Sequence, residues 1–183
     1  MTTLEALREL IQRDAIAFGD FTLKSGQKSH YYFDLRKVTL SAMGANLIGA
    51  SLWELFADAP ITAIGGPATA AIPIIGATLA IAAPSGGSHL KGFYVRSEAK
   101  AHGTGKRIEG PVGPHDQVLL IEDTVTTGGS LLDAAEALKE AGIAIWGAIW
   151  LVDRGMGALE TVNNAGIAAR ALFTLKDFDL EPR

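Results

Sequence analysis

Residues 118–130 read VLLIEDTVTTGGS, and they indicate the fold class of the whole chain. The run from Val118 to Ile121 is continuously apolar, which is typical of a strand buried on both faces of a parallel sheet. Glu122 and Asp123 mark the point where this strand leaves the core. Apolar residues recur at helical spacing from Leu131, so the stretch predicts a buried strand, a polar loop and a helix in direct succession.

The loop between that strand and that helix has the composition of a sugar-phosphate site. Amide N–H groups at a helix N-terminus favour a bound phosphate, and Gly128 and Gly129 let the backbone approach it. Glu122 and Asp123 would repel a phosphate but accept hydrogen bonds from the vicinal hydroxyls of a ribose. Surface charges beside an ordinary helix cap are the alternative interpretation. The pattern is not a P-loop, because Arg107 follows the Gly-Lys pair where Ser or Thr is required.

The composition of the 183 residues is that of a globular chain without an electrostatic attraction for nucleic acid. Apolar residues make up 48% and charged residues 20%, which excludes a disordered chain, and the net charge is −4. Cysteine is absent, which excludes disulfides, thiolate metal ligands and cysteine nucleophiles. Charged residues near the N-terminus stand where a signal peptide requires an apolar core, so we expect a cytoplasmic protein.

One apolar stretch raises the question of a membrane span, because His89 is the only titratable residue between Asp58 and Lys91. A spanning helix requires about 20 apolar residues in regular structure. Glycines and prolines interrupt this stretch. We therefore predict a strand at 61–64, a glycine-rich turn and a buried helix at about 70–82.

Strand and helix patterns alternate along most of the chain. A hairpin is expected from strands at 21–23 and 31–34, followed by a helix at 42–56 and, near the end, a strand at 144–152. This alternation implies an α/β fold with an open parallel sheet flanked by helices. Ligands of such sheets bind at the carboxyl ends of the strands, which is where the sugar-phosphate loop falls. The acidic end, 177–183, is expected to fray.

Four segments together resemble the type I phosphoribosyltransferases and, among them, the orotate phosphoribosyltransferases. VLLIEDTVTTGGS is similar to the family's phosphoribosyl-pyrophosphate motif. The other three segments are FTLKSGQKSHYYFD at 21–34, VRSEAKAHGTGKRIEG at 95–110 and VDRG at 152–155. Their order and spacing extend the resemblance over most of the chain.

The resemblance implies a type I phosphoribosyltransferase-like fold with a small N-terminal hood. One domain is expected over 1–183. Residues 1–37 would supply mainly hood elements, and 38–183 would form the α/β core, with a mobile loop at 96–110. By the same resemblance, this loop acts across the interface of a homodimer.

The resemblance also assigns the contacts with phosphoribosyl pyrophosphate. The segment GGPAT at 65–69 is similar to the family's pyrophosphate-binding turn, here Gly66, Pro67, Ala68 and Thr69. The other contacts are expected from Arg96, Lys100, His102, Glu122, Asp123, Thr124, Val125, Thr126, Thr127, Gly128, Gly129 and Ser130.

The loop at 96–110 carries a surplus of two positive charges within an acidic protein. A pyrophosphate leaving group accumulates negative charge as its bond to the anomeric carbon breaks, so cations close to it stabilise the transition state. Lys100 is the first candidate for this catalytic role, assisted by Arg96. His102 could donate a hydrogen bond or a proton to the departing oxygen. A solvated surface loop is the alternative.

Orotate differs from uracil by a carboxylate, which the planar fork of Arg154 can hold with two hydrogen bonds. A surface pair between Arg154 and the preceding aspartate is the alternative. The resemblance places Lys24, Tyr32 and Phe33 of the hood against the base, together with Thr126. An aromatic hairpin that only belongs to the core is the alternative for the two rings.

The chain departs from some relatives at two positions. Ala70 stands where they carry a lysine in the pyrophosphate turn, and Ser97 replaces a lysine that many members carry after the loop arginine. The loss of two cations leads us to expect weaker affinity for phosphoribosyl pyrophosphate.

The resemblance implies a transferase that converts orotate and phosphoribosyl pyrophosphate into orotidine monophosphate and pyrophosphate in pyrimidine biosynthesis. Mg²⁺ would arrive bound to the substrate, so no protein metal ligands are expected. Partners are limited to the two small-molecule substrates and a second copy of the chain, without nucleic acid or membrane. Transfer to another nucleobase and a non-catalytic regulator that senses the sugar phosphate are the rival interpretations.

Overall fold

The protein alternates strands and helices after an N-terminal helix and hairpin. The computed structural model describes residues 1–22, 28–98 and 106–181. Its α-helices are α1 (Thr3–Asp14), α2 (Arg36–Thr39), α3 (Ala42–Phe56), α4 (Ala71–Ala82), α5 (Gly129–Glu140) and α6 (Ala158–Asn164). Its strands are β1 (Ile16–Thr22), β2 (Lys28–Phe33), β3 (Ala63–Pro67), β4 (Lys91–Val95), β5 (Ile108–Glu109), β6 (Gln117–Val125), β7 (Ala144–Asp153) and β8 (Ala169–Thr174).

The central sheet has the order β5-β4-β3-β6-β7-β8. Five strands run parallel to one another: β4, β3, β6, β7 and β8. The sixth strand, β5, pairs antiparallel with β4 at one edge. The predicted open parallel sheet flanked by helices is confirmed. The carboxyl ends of β3 and β6 therefore lie side by side.

The apolar run in β6 is buried because helices cover both faces of the sheet. Leu119 and Ile121 pack into a cluster with residues of α1, α3 and α4. Val118 and Leu120 pack into a second cluster, with residues of α5 and α6. All four side chains are fully buried, as expected for a central parallel strand.

The predicted hairpin is present as a separate two-stranded antiparallel sheet. Its strands are longer than predicted, and the register pairs Ile16 with Phe33 and Phe18 with Tyr31. Residues 23–27, including Lys24, lie outside the described residues. Helix α1 begins with a reciprocal capping box between Thr2 and Glu5 and buries an apolar face in the core shared with α3.

The prediction of a fraying C-terminus is wrong up to residue 181. A 3₁₀ helix, Leu175–Phe178, follows β8, and Phe178 and Leu180 are buried in the core. Asp177 accepts hydrogen bonds from the backbone and the side chain of Thr174, so this acid caps the turn. The Tyr31 hydroxyl donates to the carbonyl oxygen of Glu181 at 3.0 Å, which connects the hairpin to the C-terminal segment.

No helix within the described residues is long and apolar enough to cross a membrane. The apolar stretch that raised this question forms β3 and α4, close to the predicted strand and helix.

Candidate functional site

Two pockets open at the carboxyl ends of β3 and β6. The larger one, which we call the hood cavity, has a volume of about 700 Å³. Its wall consists of Tyr32, Phe33, Asp34, Leu35, Arg36, Thr39, Leu40, Thr69, Ala70, Ile72, Pro73, Asp123 and Thr124. The smaller one, the loop pocket, has a volume of about 140 Å³ and is lined by Glu122 and residues 124–130. The hairpin side of the molecule thus faces the strand ends across the hood cavity.

The strand geometry sends the two adjacent acids into different pockets. Strand β6 continues to Val125, so Glu122 and Asp123 belong to the strand and do not mark its end as predicted. Because successive side chains of a strand point to opposite faces, Asp123 lines the hood cavity and Glu122 lines the loop pocket. Thr124 lines both pockets and connects them.

The surroundings of both acids raise their pKa values. Burial, and secondarily the charge of Asp123, raises the pKa of Glu122 to about 8. Burial also raises the pKa of Asp123, while hydrogen bonds from Thr124 and the charge of Arg36 act in the opposite direction. Neither acid forms an ion pair within the described ranges. A ligand that brings hydroxyl donors or a cation would therefore stabilise their charged forms.

The predicted phosphate loop presents an uncapped helix N-terminus. Gly128 is the N-cap of α5 with φ 90°, and no side chain caps the helix. A Cβ on Gly128 would also come within 3.0 Å of Val162 Cγ2, so both conformation and space require glycine here. The first-turn amides of this twelve-residue helix remain available to an anion in the loop pocket.

The segment at 65–69 differs from the glycine-rich turn that was predicted. Gly66 and Pro67 lie in β3, and only Ala68 and Thr69 of the predicted turn follow the strand. A Cβ on Gly66 would overlap the carbonyl oxygen of Ile121 in β6, so this glycine permits close strand packing. The Ala68 amide donates to the Val95 carbonyl at 2.8 Å, and the peptide between Ala68 and Thr69 is cis.

The aromatic residues of β2 divide between core and cavity. Tyr31 is buried, whereas Tyr32 is 42% exposed, and its ring lies at a tilt against the Phe21 ring with the centroids 5.7 Å apart. Phe33 is half-buried and meets Phe178 edge to face at 5.7 Å. Tyr32 and Phe33 both line the hood cavity, so they can contact a ligand there.

Arg154 follows β7 without pairing with Asp153. The two carboxylate oxygens of Asp153 accept hydrogen bonds from Trp150 Nε1 at 3.2 Å and from the Gly155 amide at 2.6 Å. The Arg154 amide donates to the Val125 carbonyl at 3.0 Å, which places this residue beside the phosphate loop. No ion pair between Asp153 and Arg154 is present among the described residues. Arg154 and Thr126 do not line the hood cavity.

The base of the predicted mobile loop is described, but its centre is not. Lys100 and His102 lie outside the described residues. Arg96 and Arg107 face each other at the base, where the Arg96 amide donates to the Arg107 carbonyl and Arg107 Nε donates to the Arg96 carbonyl, each at 2.9 Å. The Arg107 guanidinium also pairs with Asp133 of α5. Nε of Arg96 is buried and has no hydrogen-bond partner within the described ranges.

Sequence reasoning missed Arg36, which lines the hood cavity. Its guanidinium donates to both oxygens of Asp34, with Nε at 2.7 Å and Nη2 at 3.1 Å. This pair lowers the pKa of Asp34 below its usual value. The local sequence around it, Asp-Leu-Arg directly after an aromatic strand, is too weak a signal to single out this arginine.

The acids at the end of β6 suit a divalent cation only if the cation arrives with other ligands. No group of three or more His, Asp or Glu residues that could hold a metal ion occurs in the described part of the chain. Glu122 and Asp123 nevertheless supply partly buried carboxylate oxygens, the donor type that Mg²⁺ prefers. The donor set fits Mg²⁺ bound mainly by a substrate.

Comparison with known proteins gives a consistent result. The orotate phosphoribosyltransferase of Rhodopirellula baltica is 41% identical to this chain, over 98% of this chain and 95% of the relative. The orotate phosphoribosyltransferase of Mycobacterium tuberculosis in complex with Fe(III) dicitrate matches with a TM-score of 0.85 and 35% identity, covering 98% of this chain and 100% of that one. The M. tuberculosis enzyme in complex with phosphoribosyl pyrophosphate matches with a TM-score of 0.81, 33% identity and the same coverage. No protein-family model matches the chain.

Proposed function

The chain belongs to the orotate phosphoribosyltransferase family, whose members are pentosyltransferases, and we propose that it transfers ribose 5-phosphate from phosphoribosyl pyrophosphate to orotate. Orotate attacks the anomeric carbon, the bond from this carbon to the pyrophosphate oxygen breaks, and orotidine monophosphate and pyrophosphate leave. The observation that carries the proposal is the juxtaposition of Glu122 and the uncapped N-terminus of α5 in one small pocket.

The phosphate and the ribose are bound by different kinds of groups on either side of Thr124: hydrogen-bond donors for the phosphate and carboxylate acceptors for the ribose. The 5-phosphate accepts hydrogen bonds from the backbone amides and hydroxyls of residues 126–130 in the loop pocket. The ribose hydroxyls donate to Glu122 and Asp123, whose charged forms gain stability from these hydrogen bonds. The M. tuberculosis relative solved with phosphoribosyl pyrophosphate supports this assignment of the ligand.

The base occupies the side of the site that the hairpin covers. Tyr32 and Phe33 provide aromatic surface for a planar ring, and Arg154 holds the carboxylate of orotate. Lys24 and Thr126 contribute further contacts. An arginine whose neighbouring aspartate is already bonded elsewhere has its donors available for a substrate carboxylate.

Departure of the pyrophosphate is assisted by cations near the leaving oxygen. Lys100 and Arg96 stabilise the charge that accumulates on this oxygen, and His102 donates a hydrogen bond or a proton to it. Ala68 and Thr69, which follow β3, contact the pyrophosphate. Gly66 and Pro67 lie within β3 and contribute by positioning these two residues. Glu122 and Asp123 are the residues that would hold Mg²⁺ delivered with the substrate, and the ion would supply charge neutralisation for the diphosphate.

We further propose the cellular setting of the reaction. The 183 residues act as one phosphoribosyltransferase domain in a cytoplasmic homodimer, in which the loop at 96–110 reaches the neighbouring subunit's site. The reaction is the orotate-consuming step of UMP synthesis in the de novo pyrimidine pathway.

The test is the loss of orotate's near-ultraviolet absorbance on addition of protein, Mg²⁺ and phosphoribosyl pyrophosphate, compared with uracil and hypoxanthine. We expect turnover of orotate alone, and its collapse in Lys100→Ala. Asp123→Asn should lower kcat/KM about 100-fold, because a charged hydrogen-bond acceptor for the ribose is lost. Glu136→Gln, an exposed acid on α5, is the control and should retain activity. Binding of phosphoribosyl pyrophosphate without turnover of any base would identify a regulator instead.

A further inference from the structure

The hood cavity must receive anions, yet carboxylates dominate the charge on its wall. Asp34 and Asp123 both line the cavity. Arg36 is the single cationic side chain among the described residues of this wall. Both proposed substrates are anionic, and the diphosphate carries the larger charge. The diphosphate therefore gains more than orotate does from a contact with the positive charge of Arg36.

The ion pair with Asp34 orients the Arg36 guanidinium and uses only part of its N–H donors. Asp34 accepts from Nε and from one N–H of Nη2. An arginine has five N–H donors in a planar fork, so three donors of Arg36 remain for a ligand. The side chain of Arg36 is 67% exposed and that of Asp34 19%, which places the unused donors toward solvent and the carboxylate behind them.

Two further features of the hood cavity suit phosphate oxygens. Thr69 and Ala70 line the cavity with Arg36, and their amides donate to no carbonyl or side chain within the described ranges. The field of Arg36 reaches the Asp123 carboxylate, which we assign to the ribose. A diphosphate attached to that ribose would lie between backbone amides on one wall and a guanidinium on the other.

We propose that Arg36 is a diphosphate-binding residue, held in position by Asp34 and reaching phosphoribosyl pyrophosphate from the hood side of the cavity. This inference rests on the proposed function. It adds to that function a cation from outside both the loop at 96–110 and the β3 turn. This cation also offsets the loss of affinity for phosphoribosyl pyrophosphate that we expected from Ala70 and Ser97.

The test is steady-state kinetics of Arg36→Gln with each substrate varied in turn. We expect the KM for phosphoribosyl pyrophosphate to rise about tenfold to 100-fold through loss of a charge-assisted contact, with the KM for orotate within about twofold of wild type. Lys37→Gln is the matched control, because it removes the same charge from the next residue, which does not line the hood cavity. It should keep both KM values.

Two more variants separate binding from a structural role. Asp34→Asn removes the ion pair that orients Arg36 but keeps the guanidinium, so it should raise the KM for phosphoribosyl pyrophosphate by only about threefold, well below the rise in Arg36→Gln. Ala70→Lys in the Arg36→Gln background places an ammonium in the same cavity and should recover part of the lost affinity. Equal losses in Asp34→Asn and Arg36→Gln would overturn the proposal in favour of a structural pair.

The site of the kinetic effect distinguishes the remaining outcomes. A rise in the KM for orotate alone would assign Arg36 to the base and overturn the diphosphate assignment. Unchanged KM values in Arg36→Gln, with wild-type protein turning over orotate, would reject the inference and leave the proposed function intact. Absence of turnover in the wild type would reject the proposed function itself.

Discussion

Strands β3 and β6 are neighbours in the sheet, and a Gly-Gly pair occurs in or directly after each of them. The two pairs look alike in the sequence. In β3 the pair Gly65 and Gly66 is buried in the strand, where side chains would meet the Phe93 ring and the carbonyl of Ile121. In β6 the pair Gly128 and Gly129 follows the strand and begins α5. The first pair permits close packing, and the second opens backbone amides to a ligand. A glycine pair therefore carries no functional meaning until its position relative to the strand end is known.

The two strand ends also differ in charge. The end of β3 has no titratable side chain, whereas the last residues of β6 include two half-buried acids with raised pKa values. Burial of unpaired carboxylates lowers the free energy of unfolding, so these two acids do not serve to stabilise the fold. This cost is concentrated at β6, as is common where ligands bind.

The largest effect is expected from the packing glycine in β3. Gly66→Ala should lower the free energy of unfolding by more than about 3 kcal/mol, because its Cβ would overlap the backbone of β6 and force the two strands apart. Urea unfolding followed by circular dichroism measures this. Gly76→Ala is the control: Gly76 is exposed within α4 with no atom within 4 Å of an added Cβ, so the variant should gain about 0.5–1 kcal/mol. A tolerated Gly66→Ala would contradict the packing role.

A smaller effect, dependent on pH, is expected from the acid in the loop pocket. In the folded protein, burial raises the pKa of Glu122 to about 8, whereas in the unfolded chain this carboxyl group has its ordinary pKa of about 4.5. The folded state therefore binds more protons between these values, and Glu122 lowers stability as pH rises through this window. Glu122→Gln should raise the free energy of unfolding of the ligand-free protein by about 1–3 kcal/mol at pH 9.

The measurement is thermal or urea unfolding of wild type and Glu122→Gln between pH 5 and 9. The difference between the two proteins should shrink as pH falls toward 4.5. A constant difference across this range would show that the carboxyl group of Glu122 titrates alike in the folded and unfolded chains.

The smallest effect separates the two glycines of the phosphate loop. Gly128→Ala should cost about 1–2 kcal/mol of unfolding free energy, because an alanine at φ 90° is strained and its Cβ approaches Val162. Gly129→Ala should change stability by less than about 1 kcal/mol, because its φ is not positive and an added Cβ meets only Thr127 Oγ1 at 4.0 Å. Equal costs in chemical denaturation would remove the distinction between the two positions.

Local patterns in the sequence were sufficient for most of the fold. The apolar run at 118–121 correctly predicted a strand buried on both faces, because only such a strand excludes polar side chains from four consecutive positions. The helix predicted at 42–56 has the observed bounds. The C-terminal prediction was wrong because Phe178 and Leu180 stand among acids, and their burial depends on contacts with distant elements.

The sequence proposes the candidate site residues as one set, and it could not divide them between two pockets. Tyr32 could be separated from Tyr31 only by knowing which face of the hairpin meets the C-terminal segment. Arg36 lacked a local signal strong enough to select it, because its contact with the hood cavity depends on how the hairpin approaches β3 and β6.

Sequence alone established an α/β chain with a glycine-rich loop after a buried strand, and it predicted a sugar-phosphate site in that loop. Hydrophobic periodicity and loop chemistry are local properties of neighbouring residues. Tertiary packing assigned the adjacent acids Glu122 and Asp123 to different pockets, moved Gly66 from a turn into a strand and brought Arg36 to the cavity. These outcomes depend on how far β6 extends and on which elements cover its faces. Both are set by contacts between segments far apart in the chain, which no local pattern contains.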